Sequence, residues 1–300
     1  MNKWVKGTSL ALGALAVAAV AAVLVGKHLG ERKMQRIISV PVAPLVVSAP
    51  GPNLEQGRYL FATRGCADCH GANGGGREVI RSGAMLVVSP NLTTGVNSAT
   101  ATYAPIDWVR TLRHGVKPSG RPVMIMPSED YSRLSDDDLA AVIAYVLQLK
   151  PVAGARATVQ LPVAVKVLYA FGNVKDAAEI IDHKLAPPPP VPATVSLAHG
   201  AYVANSCVGC HGANLSGGKI PGAPPEWPAP ANLTPGNGSA MKRYPTPEAF
   251  TAMLRSGKRP DGSAISTVMP FASLGAMNDV DVRALHSYLQ TLPPREAGGR

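Results

Sequence analysis

Apolar positions fall along this chain in three patterns. Residues 7–26 carry no charge and are Leu, Ala and Val with little else, a helix long enough to cross the ~30 Å hydrocarbon core of a bilayer. Two later stretches repeat at helical spacing: Leu139, Val142, Ile143, Val146 and Leu147, then Val282, Leu285 and Leu289. Each opens on a cap, Ser135 with Asp138 three places on, and Asn278 with Asp281. Asn53 and Ser196 are the expected N-caps of an earlier helix in each half, running on into a cysteine-bearing segment. No stretch alternates as a strand would. Gly- and Pro-rich loops, such as residues 74–76 and 221–230, separate the helices. The expected fold class is all-α, with a core completed by something other than side chains.

The two cysteine-bearing segments have the same form: Cys66-Ala67-Asp68-Cys69-His70 and Cys207-Val208-Gly209-Cys210-His211. C-x-x-C-H is the attachment signature of c-type haem. Two thiols reach the two vinyl groups of one porphyrin as thioethers, and the histidine that follows is carried under the ring to ligate iron. A thiol redox pair of thioredoxin type needs a βαβ setting, and a zinc site needs four closely spaced ligands. All four cysteines of the chain lie in the two pentads. The expected cofactors are two covalently bound haem c, held through Cys66, Cys69 and His70 and through Cys207, Cys210 and His211.

The pentads belong to a longer internal repeat. His70-Gly71-Ala72-Asn73 recurs as His211-Gly212-Ala213-Asn214, and Asn91-Leu92-Thr93 as Asn232-Leu233-Thr234. The segment from Asp107 to Gly115 faces that from Ala249 to Gly257, and Met126-Pro127 recurs as Met269-Pro270. A domain of ordinary size has been duplicated. The expected boundaries are 1–52 for a membrane anchor and linker, 53–150 for domain 1, 151–195 for an inter-domain linker and 196–295 for domain 2.

On these residues each copy resembles a class I cytochrome c domain: the pentad, the Gly after it, the late Met-Pro and the closing helix of Leu134-Ser135-Asp136-Asp137-Asp138-Leu139 type. The whole chain looks like the membrane-anchored dihaem cytochromes of bacterial respiratory chains. The resemblance implies Met126 and Met269 as the second axial ligands beside His70 and His211. Met124, Met253, Met277, His114 and His199 compete for that role, the two histidines also reading as lone surface residues. The family's crossing of first and last helix, glycine against aromatic, maps onto Gly57 with Tyr145 and Gly200 with Tyr288. Arg110 and Arg113 read either as partners of haem propionates or as a solvated helix face.

The chain carries a formal net charge of +10 over 300 residues. Half of that excess lies in residues 1–52, flanking the apolar run. Four haem propionates would leave the two domains near neutral. The basic pI is therefore no sign of nucleic-acid binding, which needs a basic face on the domain itself. Lys27-His28 follows the apolar run at once and no clear A-x-A lies beyond it, so the segment reads as a retained anchor, the alternative being a cleaved signal peptide. Positive charge after the run exceeds that before it, which by itself places the domains in the cytoplasm; family precedent places haem c attachment on the outer side of the bacterial inner membrane, in the periplasm. Residues 41–52 read as an extended linker, residues 187–190 as a stiff polyproline spacer, and the apolar residues 161–171 as a segment packed between the domains.

No Ser-His-Asp set, paired carboxylates or phosphate loop is evident. The expected function is electron transfer without catalysis. The donor would be a membrane or periplasmic dehydrogenase or a quinol-oxidising complex, and the acceptor a terminal oxidase or soluble cytochrome. The resemblance implies service to alcohol, aldehyde or sugar-acid dehydrogenases. The alternative is a dihaem redox enzyme, of peroxidase or thiosulfate-oxidising type, with one open-coordination haem.

Overall fold

The computed structural model describes residues 3–47 and 52–300; part of the expected linker 41–52 lies outside the described residues. The elements in order are α1 (Lys3–Met34), α2 (Pro52–Thr63), α3 (Cys66–His70), β1 (Glu78–Ser82), β2 (Met85–Val88), α4 (Pro105–His114), α5 (Ser128–Tyr131), α6 (Asp136–Leu147), β3 (Thr158–Gln160), α7 (Val163–Ala170), α8 (Ala177–Ile180), α9 (Leu197–Ala204), α10 (Val208–His211), α11 (Pro247–Ser256), α12 (Phe271–Gly275) and α13 (Asp279–Thr291). The architecture is mostly helical, as the apolar periodicity predicts.

Each copy closes its first helix against its last, α2 on α6 and α9 on α13. Glycine makes this approach possible. A Cβ on Gly57 would lie 2.0 Å from the Ala141 carbonyl oxygen, and one on Gly200 2.1 Å from that of Ala284, each with the neighbouring tyrosine, Tyr145 or Tyr288, also within 3 Å. The expected caps hold on the closing helices. The Ser135 hydroxyl accepts from the Asp138 amide at 3.2 Å and the Asn278 side chain from the Asp281 amide at 2.8 Å. Buried apolar side chains from these helices form one core per copy: Leu60, Phe61, Leu139 and Ile143 in the first, Val203, Val282, Leu285 and Leu289 in the second.

Three expectations need correction. Asn53 lies inside α2, not at its cap, whereas Ser196 does cap α9, accepting from the His199 amide at 3.2 Å. α2 does not run into its pentad: Gly65, at φ 84°, breaks the chain before α3. A three-stranded antiparallel sheet, ordered β1-β2-β3, stands where no strand was expected. Its strands are too short to show alternation, and β3 pairs with β2 from the far side of the first domain, a contact no local pattern announces. Residues 161–171 pack between the domains as expected, Leu161 and Val165 meeting Ile80, Met85 and Val87 of the first and Trp227 of the second, and they also dock on the first helix. Helix α7 lies along the C-terminal turns of α1, where a Cβ on Gly30 would meet the Lys166 carbonyl oxygen at 2.2 Å.

That docking extends the first helix past the apolar run. Lys166 Nζ reaches Glu31 at 2.6 Å, and Lys33 Nζ donates to the Tyr169 carbonyl at 2.8 Å. Arg36 pairs with buried Asp176 and with the Tyr169 hydroxyl. Over residues 8–34 the helix is long and apolar enough to cross a membrane, and its apolar side chains from Leu10 to Val25 are exposed.

Candidate functional site

The two pentads fold as short helices, and each ends on a glycine in a conformation that favours no side chain, Gly71 at φ 75° and Gly212 at φ 79°. The turn stops the helix directly after the histidine. Both histidines are buried. His70 Nδ1 lies 3.0 Å from the Pro90 carbonyl oxygen, and His211 Nδ1 2.8 Å from that of Ala231. A carbonyl only accepts, so each Nδ1 carries the proton and each Nε2 keeps its lone pair for a metal. Burial pushes both imidazoles below their ordinary pKa, against the raising effect of those hydrogen bonds, and keeps them neutral.

The loops that supply these carbonyls explain the repeated Asn-Leu-Thr. Asn91 is fully buried; its Nδ2 donates to the Val96 and Val152 carbonyls at 3.1 and 2.8 Å, and its Oδ1 accepts from Thr93. Asn232 does the same with the Asn237 and Arg295 carbonyls, at 3.0 and 2.8 Å, and with Thr234. The motif was legible as a repeat, but its task of aiming the histidines was not.

The four cysteines are unpaired. Burial pushes the Cys66 and Cys207 thiols up to about 12, and raises Cys69 and Cys210 as well. Thiolate chemistry is therefore disfavoured here, whereas a thioether carries no charge and loses nothing by burial. Met126 packs on the first core together with Cys66, and Met269 on the second together with Cys207. Met124 turns instead to the cluster of Ile80, Met85 and Val87 under the small sheet. Met253 and Met277 are buried core residues.

The competing histidines are engaged elsewhere and are not surface residues. His114 is buried against His183, Nδ1 to Nδ1 at 3.1 Å, and His199 Nε2 lies 2.7 Å from Asp281 Oδ1. Arg110 pairs with Asp107, and Arg113 Nη2 with Asp136 at 2.9 Å. In the first core, the buried donors Trp108 Nε1 and Arg113 Nη1 have no hydrogen-bond partner among the described residues. Unpaired buried donors are uncommon. Together with free Nε2 atoms and the half-buried sulfurs of Cys66, Cys207, Met126 and Met269 they suit a flat apolar group with an acidic edge, so the residues fit a haem.

Sequence reasoning missed the residues that join the copies. Tyr59 donates to Asp281 Oδ2 at 2.8 Å and Tyr202 to Asp138 Oδ2 at 2.5 Å, so each first helix reaches the cap of the other copy's last helix. Arg64, Asp130 and Ser273 complete that boundary.

A family model described as Cytochrome c matches residues 54–150 and again 197–293. The chain belongs to the cytochrome c family. Two domains of this family therefore follow the apolar helix, and covalent haem c is the cofactor such domains imply. Among curated proteins, the chain is 26% identical to the fructose dehydrogenase cytochrome subunit of Gluconobacter japonicus, over 87% of this chain and 57% of that one. It is 26% identical to the cytochrome c subunit of alcohol dehydrogenase (quinone) of Gluconobacter oxydans, over 80% and 55%. It is 25% identical to the gluconate 2-dehydrogenase cytochrome c subunit of Pantoea cypripedii, over 81% and 60%. This cytochrome thus spans little more than half the length of the relatives it matches.

Proposed function

We propose that this cytochrome carries two haems c and passes electrons from a membrane or periplasmic dehydrogenase, or a quinol-oxidising complex, to a terminal oxidase or soluble cytochrome. The observation that carries the reading is the duplicated site, in which a buried pentad histidine with a free Nε2 is matched in each copy by a methionine packed on the same core. Names of relatives as dehydrogenase cytochrome subunits support a dehydrogenase donor. We place the protein at the bacterial inner membrane, held by the helix through residues 8–34, with both domains in the periplasm.

Bound haem supplies an iron that takes up and releases one electron. Cys66, Cys69, Cys207 and Cys210 fix the two porphyrins covalently. His70 and His211 would each offer Nε2 to the iron, and the Pro90 and Ala231 carbonyls hold the imidazole orientation and raise nitrogen basicity. Met126 and Met269 would offer a thioether sulfur, which would favour the reduced state and raise the potential. With both ligands in place neither site would keep a position for substrate, which would distinguish a carrier from a haem enzyme.

The test is the full chain matured with covalent haem and extracted from membranes. Two haems per chain should survive denaturation and acid-acetone, both six-coordinate and low-spin, and reduced dehydrogenase should reduce both. Haem released into acid-acetone would refute covalent attachment. Rapid carbon monoxide binding by the unmodified protein would favour the dihaem enzyme.

A further inference from the structure

Helix α7, which follows the first domain in the chain, returns to the point where α1 leaves its apolar run. A Cβ on Gly26, the last residue of that run, would meet both Val167 methyls at 3.1 Å and the Phe171 ring at 3.5 Å. Gly30, four residues or about 6 Å farther along the axis, faces the Lys166 carbonyl. α7 therefore lies antiparallel to α1, with its C-terminal end towards the apolar run and Lys166 towards Glu31. The rotation of α7 is fixed as well. Tyr169 is fully buried, and its hydroxyl is held between Arg36 and Asp176. Leu168 and Phe171, three positions apart and so on one face, are left 41% and 65% exposed. Gly172, at φ 78°, ends the helix. There the Phe171 amide donates to the Val167 carbonyl and the Gly172 amide to the Tyr169 carbonyl, both at 3.2 Å, and the Asn173 amide to the Leu168 carbonyl at 2.9 Å. The tip thus presents apolar side chains while its closing amides and their acceptor carbonyls are paired internally, the condition for contact with hydrocarbon.

Resting on the membrane placement proposed above, we infer that the tip of α7, through Leu168 and Phe171, is a second lipid contact of this protein, seated in the headgroup–acyl boundary beside the emerging α1. The bilayer is the occupant because the patch continues the apolar surface of α1. The Gly26 that Phe171 covers follows directly on exposed Leu24 and Val25. Ion pairs begin only beyond it. Lys27 leans away from the run to lie 3.9 Å from Glu31, Lys166 meets the same carboxylate, and Lys33 and Arg36 pair with Glu179 and Asp176. The boundary between apolar and charged positions therefore falls at the same height on both helices. A helix lying in the interface buries its apolar face about 5–10 Å into that boundary. One spanning helix leaves a domain free to swivel about its axis. A second contact, tied to α1 through Arg36 and Asp176, fixes which face of the first domain looks to the membrane.

The experiment uses the full chain with both haems, in vesicles of phosphatidylcholine and phosphatidylglycerol. Thioether formation consumes the four native cysteines, so one added cysteine takes a nitroxide label. Asn173→Cys sets the label at the tip with Leu168 and Phe171 intact, Leu15→Cys sets it within the apolar run, and Val96→Cys sets it on the exposed surface of the first domain. Each label is relaxed by oxygen, which concentrates in lipid, and by a water-soluble nickel chelate. The oxygen-to-chelate ratio at Asn173 should stand clearly above that at Val96, towards that at Leu15. Phe171→Glu added to Asn173→Cys should bring it down to the Val96 value, with the visible spectrum of both haems unchanged. A Leu15 label in lipid with the Asn173 label open to the chelate would overturn this inference and leave the membrane placement standing. So would a tip label shielded from both reagents, the mark of a second copy seated on the patch, or one that ignores Phe171→Glu. A Leu15 label open to the chelate would overturn both.

Discussion

Arg64 of the first domain and Asp281 of the second meet as a buried ion pair, Nη2 to Oδ2 at 2.7 Å, with 6% and 3% of their side chains exposed. Arg64 sits in a turn peculiar to the first copy. Nine positions separate Gly57 from Cys66 but only seven separate Gly200 from Cys207, so the second copy has no equivalent arginine. Burial opposes the charged form of Asp281, yet Arg64, with hydrogen bonds from His199 and Tyr59, holds its carboxyl below the usual range.

Removing one partner of such a pair strands a buried charge. Arg64→Leu should cost roughly 3–5 kcal/mol of folding stability, read by chemical denaturation of the detergent-extracted protein. The double variant Arg64→Leu, Asp281→Leu should recover much of that loss. A loss equal to the sum of the two single variants would mean that the pair is not coupled.

Gly200→Ala should destabilise the second domain. The added methyl would overlap the Ala284 carbonyl oxygen, at 2.1 Å, and overpacking of this kind costs typically about 1–3 kcal/mol. The check is a thermal melt followed in the Soret band of each haem, where the midpoint should fall by several degrees.

Axial ligation separates three methionines. Met126→Ala and Met269→Ala should each open one iron to carbon monoxide and lower the potential of that haem alone. Met124→Ala should leave both spectra unchanged, because Met124 packs under the small sheet with Ile80 and Met85. Redox titration and carbon monoxide difference spectra decide it.

Acid should loosen the contact of His114 with His183. Burial, then His183, Arg113 and Arg110, push His114 down from 6.5 to about 4. The unfolded chain therefore binds a proton that the folded one refuses between those values. The stability contribution of the neutral imidazole is present above pH 6.5 and declines as pH falls towards 4, by at most about 1.4 kcal/mol per pH unit. Melting temperature against pH should show this slope, and His114→Gln should flatten it.

Most of the site was legible because its chemistry is local. Two thiols and an imidazole must lie within five residues to serve one porphyrin, so Cys66 to His70 and Cys207 to His211 announce themselves in the chain. The closing helices were equally plain, since periodicity and caps act within a few residues of each other. Helix-crossing glycines were readable only beside the family pattern, and the reason for them, a carbonyl oxygen 2.0 or 2.1 Å from where a Cβ would stand, is a property of the packed pair.

The amino-acid order alone determined the duplication, the two attachment pentads, the apolar helix and the closing helices, all products of spacing over a few residues. Tertiary structure alone decided which atoms aim the histidines, that Met124 turns away while Met126 stays on the core, that β3 joins a sheet begun some eighty residues earlier, and that α7 lies along α1. It also decided that Arg64 meets Asp281 and that each pentad lies against the other copy's Met-Pro helix. These are contacts between residues far apart in the chain. Their energies depend on burial and on distances of a few ångströms, which no local pattern encodes until the two copies have packed together.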